Sequence, residues 1–139
     1  MPSRPRFFLL LSQAQHRLLK SADAGYREAL GITATQLGVL FFLEKNPGAL
    51  LKDVSEELKI NASAITGLIG RMEEGGLVER QPSDDDARSV HLFATADGLA
   101  KAHGARPILA RLNGRLTEGF TDEEIATVAR FLTAIIDRF

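Results

Sequence analysis

The 139-residue chain has no cysteine, which excludes disulfides, thiolate metal sites and a thiol-based redox switch. It also lacks a long hydrophobic run. The apolar stretch Phe7–Leu11 follows Arg4 and Arg6 but stops at Ser12-Gln13, too short for a secretory core or a membrane span. The stretch reads as the start of a buried helix, and the chain as a cytoplasmic protein with no membrane partner. No GxSxG, GxxxxGK[ST] or GxGxxG occurs, so an enzyme is not expected. His16, His91 and His103 are far apart and join no short carboxylate cluster, so neither a metal nor a cofactor is expected. Asp84-Asp85-Asp86 could suggest a hard-metal site, but adjacent carboxylates on a loop are ordinarily only solvated. Internal repeats, low-complexity tracts and flexible linkers are absent too.

Nor is there a large excess of either charge: the formal net charge is −1. Its distribution is uneven. Residues 1–49 carry six Lys/Arg against three Asp/Glu, residues 50–98 five against ten, and residues 99–139 six against five. The local balances are therefore +3, −5 and +1, and the middle segment is the acidic one. Hydrophobic content of 45% and charged content of 25% are ordinary for a single globular domain.

What is present is a succession of helical periodicities. Phe7, Leu11, Ala14, Leu18 and Ala22 recur at spacings of three and four, predicting a helix over Arg4–Leu30 that Gly31 breaks. Thr33-x-x-Gln36 is a capping box opening a second helix that ends near Asn46-Pro47-Gly48. A third helix is predicted over Leu51–Leu58 and a fourth over Ala62–Glu74, with Asn61 as its N-cap and Gly75-Gly76 as its stop. Thr95 caps a long helix in which Pro107 predicts a kink or an interruption, and Thr121-x-x-Glu124 opens the last one.

Between the fourth and fifth helices the pattern changes to that of strands. Gly76-Leu77-Val78-Glu79-Arg80 starts one, the acidic loop Gln81–Ala87 follows, and Ser89-Val90-His91-Leu92-Phe93 resumes as another. A helix pair followed by a ribbon with Arg88 near its tip makes a winged helix. A guanidinium there can enter a narrow minor groove, where the negative potential is enhanced.

The fold class is thus mainly α with a small two-stranded β wing: a winged helix-turn-helix flanked by N- and C-terminal helices. Nearly the whole chain resembles the MarR family of transcriptional regulators. The matches are the run Gly76–Arg80, then Asp86-x-Arg88, then Thr95 and Gly98 at the family's spacing. The resemblance implies one domain over residues 1–139, with a DNA-binding lobe at about 33–95 and dimerisation helices at about 4–30 and 96–139. It further implies a homodimeric repressor on a pseudo-palindromic operator in double-stranded DNA, released by a small phenolic, anionic or otherwise amphipathic ligand. Independently, the apolar chain ends are awkward for a monomer, and an isologous two-fold contact would cover both.

Carried over residue by residue, the DNA-facing set is Asn61, Ser63, Ala64, Thr66, Arg71, Arg80 and Arg88, with Asp86 orienting Arg88 or supporting the turn. Ser63 and Thr66 would donate to phosphates or base edges, Ala64 would pack on a thymine methyl, and Arg71 and Arg80 would lie near phosphates. Relatives commonly carry a basic side chain near Gly67, and Leu51 stands where a Ser or Thr would cap the third helix. For an effector, His16, Tyr26 and Arg106 are the polar residues on the helices that would enclose it. The alternative from another class is a winged-helix protein-interaction module whose acidic lobe binds a basic partner.

Overall fold

A computed structural model describes residues 3–82 and 89–139. In chain order the elements are α1 (Phe7–Leu30), α2 (Ala34–Lys45), β1 (Ala49–Leu50), α3 (Leu51–Leu58), α4 (Ala62–Glu74), β2 (Val78–Pro82), β3 (Val90–Ala94), α5 (Ala96–Leu116) and α6 (Asp122–Arg138). The chain forms two compact units, residues 1–108 and 109–139.

Helix boundaries follow the capping chemistry. Thr33 Oγ1 accepts the Gln36 N–H at 3.1 Å while Gln36 Oε1 accepts the Thr33 N–H at 2.9 Å, satisfying two otherwise orphaned donors. Thr121 and Glu124 repeat the arrangement at α6, at 3.1 and 2.9 Å. Gly31 ends α1 in the left-handed region, at φ 71°. At its other end α1 starts at Phe7 rather than Arg4, because Pro5 disfavours helical backbone at the residue before it and Arg6 supplies no side-chain cap. The missing Ser or Thr at α3 is made good from inside the helix. The Asp53 carboxylate accepts the Leu50 N–H at 3.0 Å, so Leu50 is the N-cap and Leu51 already belongs to the first turn. Pro107 does not interrupt α5, which runs on to Leu116.

The wing is wider than the sequence pattern indicates. The sheet has three antiparallel strands in the order β1-β3-β2. β2 and β3 pair from Val78 opposite Ala94 to Pro82 opposite Val90, so the ribbon takes in Gln81 and Pro82, which the sequence assigns to the loop. β1 adds Ala49 opposite Leu92 and Leu50 opposite His91. Two residues are too few to show alternation, so β1 carries no periodic signal. It is held by the Gly48 N–H donating to Leu92 O at 2.9 Å and by His91 Nδ1 lying 2.7 Å from Gly48 O.

The core of the first unit lies where α2, α3, α4 and the sheet meet. Leu40, Leu43, Val54, Ile65, Ile69, Met72 and Leu92 are among its fully enclosed side chains. Each contributes roughly 1.5–3 kcal/mol by leaving water. α2 is apolar nearly all round, as a central helix must be. In the second unit, by contrast, no residue of α6 is buried. Val128, Phe131, Leu132 and Ile136 form an exposed stripe along it, Ile136 at 77%. The start of α1 is likewise exposed in the single chain, with Phe8 at 94%, so the burial expected for Phe7–Leu11 does not occur within one copy.

Candidate nucleic-acid interface

α3 and α4 are joined by a tight turn through Lys59 and Ile60. Lys59 takes the left-handed conformation at φ 54°, which lets the chain reverse between the helices. The Ser55 hydroxyl donates to Ile60 O and the Ile60 N–H donates to Ser55 O at 3.1 Å, clamping the turn from both sides. Asn61 then caps α4, its Oδ1 accepting the Ala64 N–H at 2.9 Å.

The two faces of α4 divide sharply. Ile65, Leu68, Ile69 and Met72 are buried, which fixes the rotation of the helix about its axis. Asn61, Ser63, Ala64, Thr66 and Arg71 are all exposed on the outward side, as the sequence indicates. Their hydrogen bonding refines the expected roles. The Ser63 hydroxyl donates to Asn61 Oδ1 at 3.0 Å, and the Thr66 hydroxyl donates to Ala62 O at 2.8 Å. Both protons are spent within the helix, so what Ser63 and Thr66 present outward is acceptor lone pairs rather than donors. Arg80, at the start of the ribbon, pairs with Glu73 at the end of α4, with Nε 3.4 Å from the carboxylate. The pair neutralises one acid next to the outward face and engages Arg80 through its Nε. Arg88 and Asp86 lie outside the described residues.

The run that opens the ribbon and the Thr95/Gly98 pair turn out to be one structural joint. Gly76 adopts φ 76° and reverses the chain out of α4, a conformation that only glycine takes at little cost. Thr95 Oγ1 donates to Gly76 O at 2.6 Å and accepts the Gly98 N–H at 3.0 Å, while the Thr95 N–H donates to Leu77 O at 3.0 Å. Gly98 itself lies against the backbone of Leu77, and a Cβ there would overlap Leu77 O and come within 2.9 Å of Leu40 Cδ2. These residues lock the base of the wing to the start of α5 and the end of α4. They hold α4, the ribbon and the start of α5 in fixed relation to one another.

The three residues considered for an effector stand in different surroundings. His16 and Tyr26 both sit on α1, ten positions and therefore about 15 Å of helix rise apart. His16 is exposed beside a shallow α1 cleft lined by Leu19, Lys20, Asp23 and Arg27. Tyr26 is buried, at 3% exposure, and that burial pushes its phenol above the ordinary value of 10.0. Arg106 is engaged by Glu44 across α5 and α2, with His103 Nε2 3.7 Å from the other carboxylate oxygen. His16 and Tyr26 thus stand at different levels of α1, and Arg106 already has an ion-pair partner. The sequence shows their helices but not their azimuths or their partners.

Comparison with known proteins bears directly on this architecture. A family model described as the MarR family matches residues 30–89, from the end of α1 to the resumption of the ribbon. The HTH-type transcriptional repressor MdtR of Bacillus subtilis is 30% identical over 113 residues, covering 78% of this chain and 70% of that protein. The chain belongs to the MarR family. The multiple antibiotic resistance protein MarR of Salmonella typhimurium is 29% identical over 132 residues, covering 94% of this chain and 89% of the relative. Among solved structures, a mutant MarR from E. coli complexed with operator DNA matches with a TM-score of 0.78 at 25% identity, over 95% of this chain and 99% of that one. The S. aureus MepR–DNA complex matches with a TM-score of 0.88 at 19% identity, over 98% and 100% of the two chains, and shares the fold. The MarR-family winged helix thus extends over nearly the whole chain.

Proposed function

We propose that this MarR-family protein is a sequence-specific DNA-binding repressor that works as a homodimer in the cytoplasm, by binding rather than by catalysis. The observation that carries the reading is the division of α4: an apolar face buried in the lobe, and an outward face of Asn61, Ser63, Ala64, Thr66 and Arg71 free of large apolar groups. Such a helix, fixed in rotation and flanked by a ribbon, is shaped for the major groove, with the wing and Arg88 beside the adjacent minor groove. The exposed apolar residues at the start of α1, and separately those along α6, are each suited to burial against a second copy, and a two-fold dimer calls for a pseudo-palindromic operator. The acidic balance of residues 50–98 sets the affinity profile. Weak non-specific binding is the expected result, because that binding comes from phosphate neutralisation and this segment carries five Lys/Arg against ten Asp/Glu.

The test is selection of bound fragments from genomic DNA by the purified protein at near-physiological salt. Enrichment of an inverted repeat with half-sites about one helical turn apart is the expected result. Absence of enrichment from a folded dimer would sink the operator reading and favour a protein-interaction module. Replacing Arg88 by Ala is expected to weaken operator binding and leave the dimer intact. Release by an effector is a property of the operator complex, measured by titrating small phenolic or anionic acids into it. None of His16, Tyr26 and Arg106 is assigned to that step.

A further inference from the structure

The outward face of α4 has a gap in its middle. Gly67 and Gly70 are both half-buried residues without side chains, and around Gly70 nothing approaches within 4 Å of where a Cβ would stand. At Gly67 the space is occupied from elsewhere: Arg71 Nη1 lies 3.3 Å from the position of a Cβ. Arg71 thus folds back along the helix by one turn, the direction in which helical side chains lean. Its guanidinium rests over Gly67 rather than out beyond its own Cα.

The inventory of donors gives this placement its meaning. Arg71 is the only Lys or Arg in α4. The Ser63 and Thr66 protons are committed to Asn61 and Ala62. Within the helix and its cap, then, the side-chain N–H donors free to face a base edge are the Asn61 amide and the Arg71 guanidinium. Among the described residues Arg71 has no carboxylate partner, in contrast to Arg80 and Arg106, which are paired with Glu73 and Glu44. A planar fork of donors held over the middle of a groove-facing helix matches the two acceptors, O6 and N7, that guanine presents in the major groove.

We propose that Arg71 is a specificity-determining residue that reads a guanine in each operator half-site through the space left by Gly67, rather than a phosphate clamp. The proposal rests on the reading of α4 as the groove helix. Gly67 is its positioning partner, since any side chain there displaces the guanidinium. The family resemblance implies a phosphate contact for Arg71, whereas the fold-back moves its charge one turn toward the N-terminus of the helix.

The experiment is selection from a randomised duplex library with the full-length wild type, Arg71→Gln, Arg71→Ala and Gly67→Val, followed by affinity measurements on the selected site across a salt series. Arg71→Ala is expected to lose about ten- to hundredfold in affinity for the selected site and to flatten the preference at one G·C pair per half-site. Arg71→Gln is expected to move that preference toward A·T, since glutamine matches adenine. Gly67→Val keeps the charge and is expected to flatten the same position with an unchanged salt slope. Circular dichroism confirms that each variant is folded. Uniform weakening of Arg71→Ala on all sequences, with a salt slope smaller by about one per protomer, is the mark of a phosphate contact and overturns the proposal. So does a Gly67→Val protein that selects the wild-type sequence. A wild type that selects no sequence removes the DNA-reading role of α4 itself, and the guanine contact with it.

Discussion

Adding one carbon at Gly98 is expected to damage the joint that carries the wing. In Gly98→Ala the new Cβ overlaps Leu77 O, lies 2.9 Å from Leu40 Cδ2 and 3.2 Å from the Leu77 carbonyl carbon. Two of these three neighbours are backbone, so relief requires α5 and the base of β2 to separate. Overpacking of this kind costs about 1–3 kcal/mol. Moving Leu77 O also weakens its bond from the Thr95 N–H, worth about 0.5–1.5 kcal/mol. Against this, alanine is the better helix former by about 1 kcal/mol. The net loss is about 1–3 kcal/mol, or a fall in Tm of about 4–12 °C for a domain of this size. Gly70→Ala is the internal control: it lies inside α4 with nothing within 4 Å of the added carbon, so it should raise stability by about 0.5–1 kcal/mol. Thermal and urea unfolding followed by circular dichroism, at one fixed protein concentration, measure both. A Gly98→Ala protein as stable as wild type would refute the joint as described.

Two further predictions concern the single tyrosine and the apolar ends. Tyr26 is the only tyrosine in the chain, so the ultraviolet absorbance of tyrosinate titrates it alone, and its midpoint in the folded protein should lie above 10.0. Its folded pKa is raised, so its contribution to stability is intact below the unfolded value near 10 and is lost as pH rises through the folded value. Tyr26→Phe should accordingly show a shallower alkaline loss of stability, and a midpoint at or below 10 in the native protein would contradict the burial argument. Phe8→Glu changes a side chain that is 94% exposed in one copy, so the fold of the single chain, apart from dimerisation, should lose no more than about 0.5 kcal/mol. Sedimentation should nonetheless show the wild type as a dimer and the variant shifted toward monomer. A variant that dimerises as tightly as wild type would remove the start of α1 from the interface.

Most helix ends were legible because their stop and start signals are local. Asn61, Thr33 and Thr121 bond to groups three residues away, and Gly31 and Gly76 answer to the backbone of their own turns. The amphipathic stripe of α4 likewise showed which face would be outward, and the set Asn61, Ser63, Ala64, Thr66 and Arg71 emerges exposed as a consequence. The capping of α3 was misplaced by one residue because Asp53 acts from inside the helix, a less conspicuous signal than a Ser or Thr before it.

By itself, then, the amino-acid sequence determined the helices, the ribbon and the outward face of the recognition helix, since each depends on residues within about one turn or one strand of each other. The tertiary structure alone decided the rest. β1 exists only because β3 offers it a partner some forty residues away, as the 43-residue separation of His91 and Gly48 shows. Thr95 and Gly98 stand out in the sequence as a spacing, but only the approach of Leu77 and Gly76 shows them to be a joint. Arg106 reads as a free cation until Glu44, 62 residues earlier, is brought to it. Contacts between distant segments are set by packing of the whole core, and that geometry carries no local periodic trace.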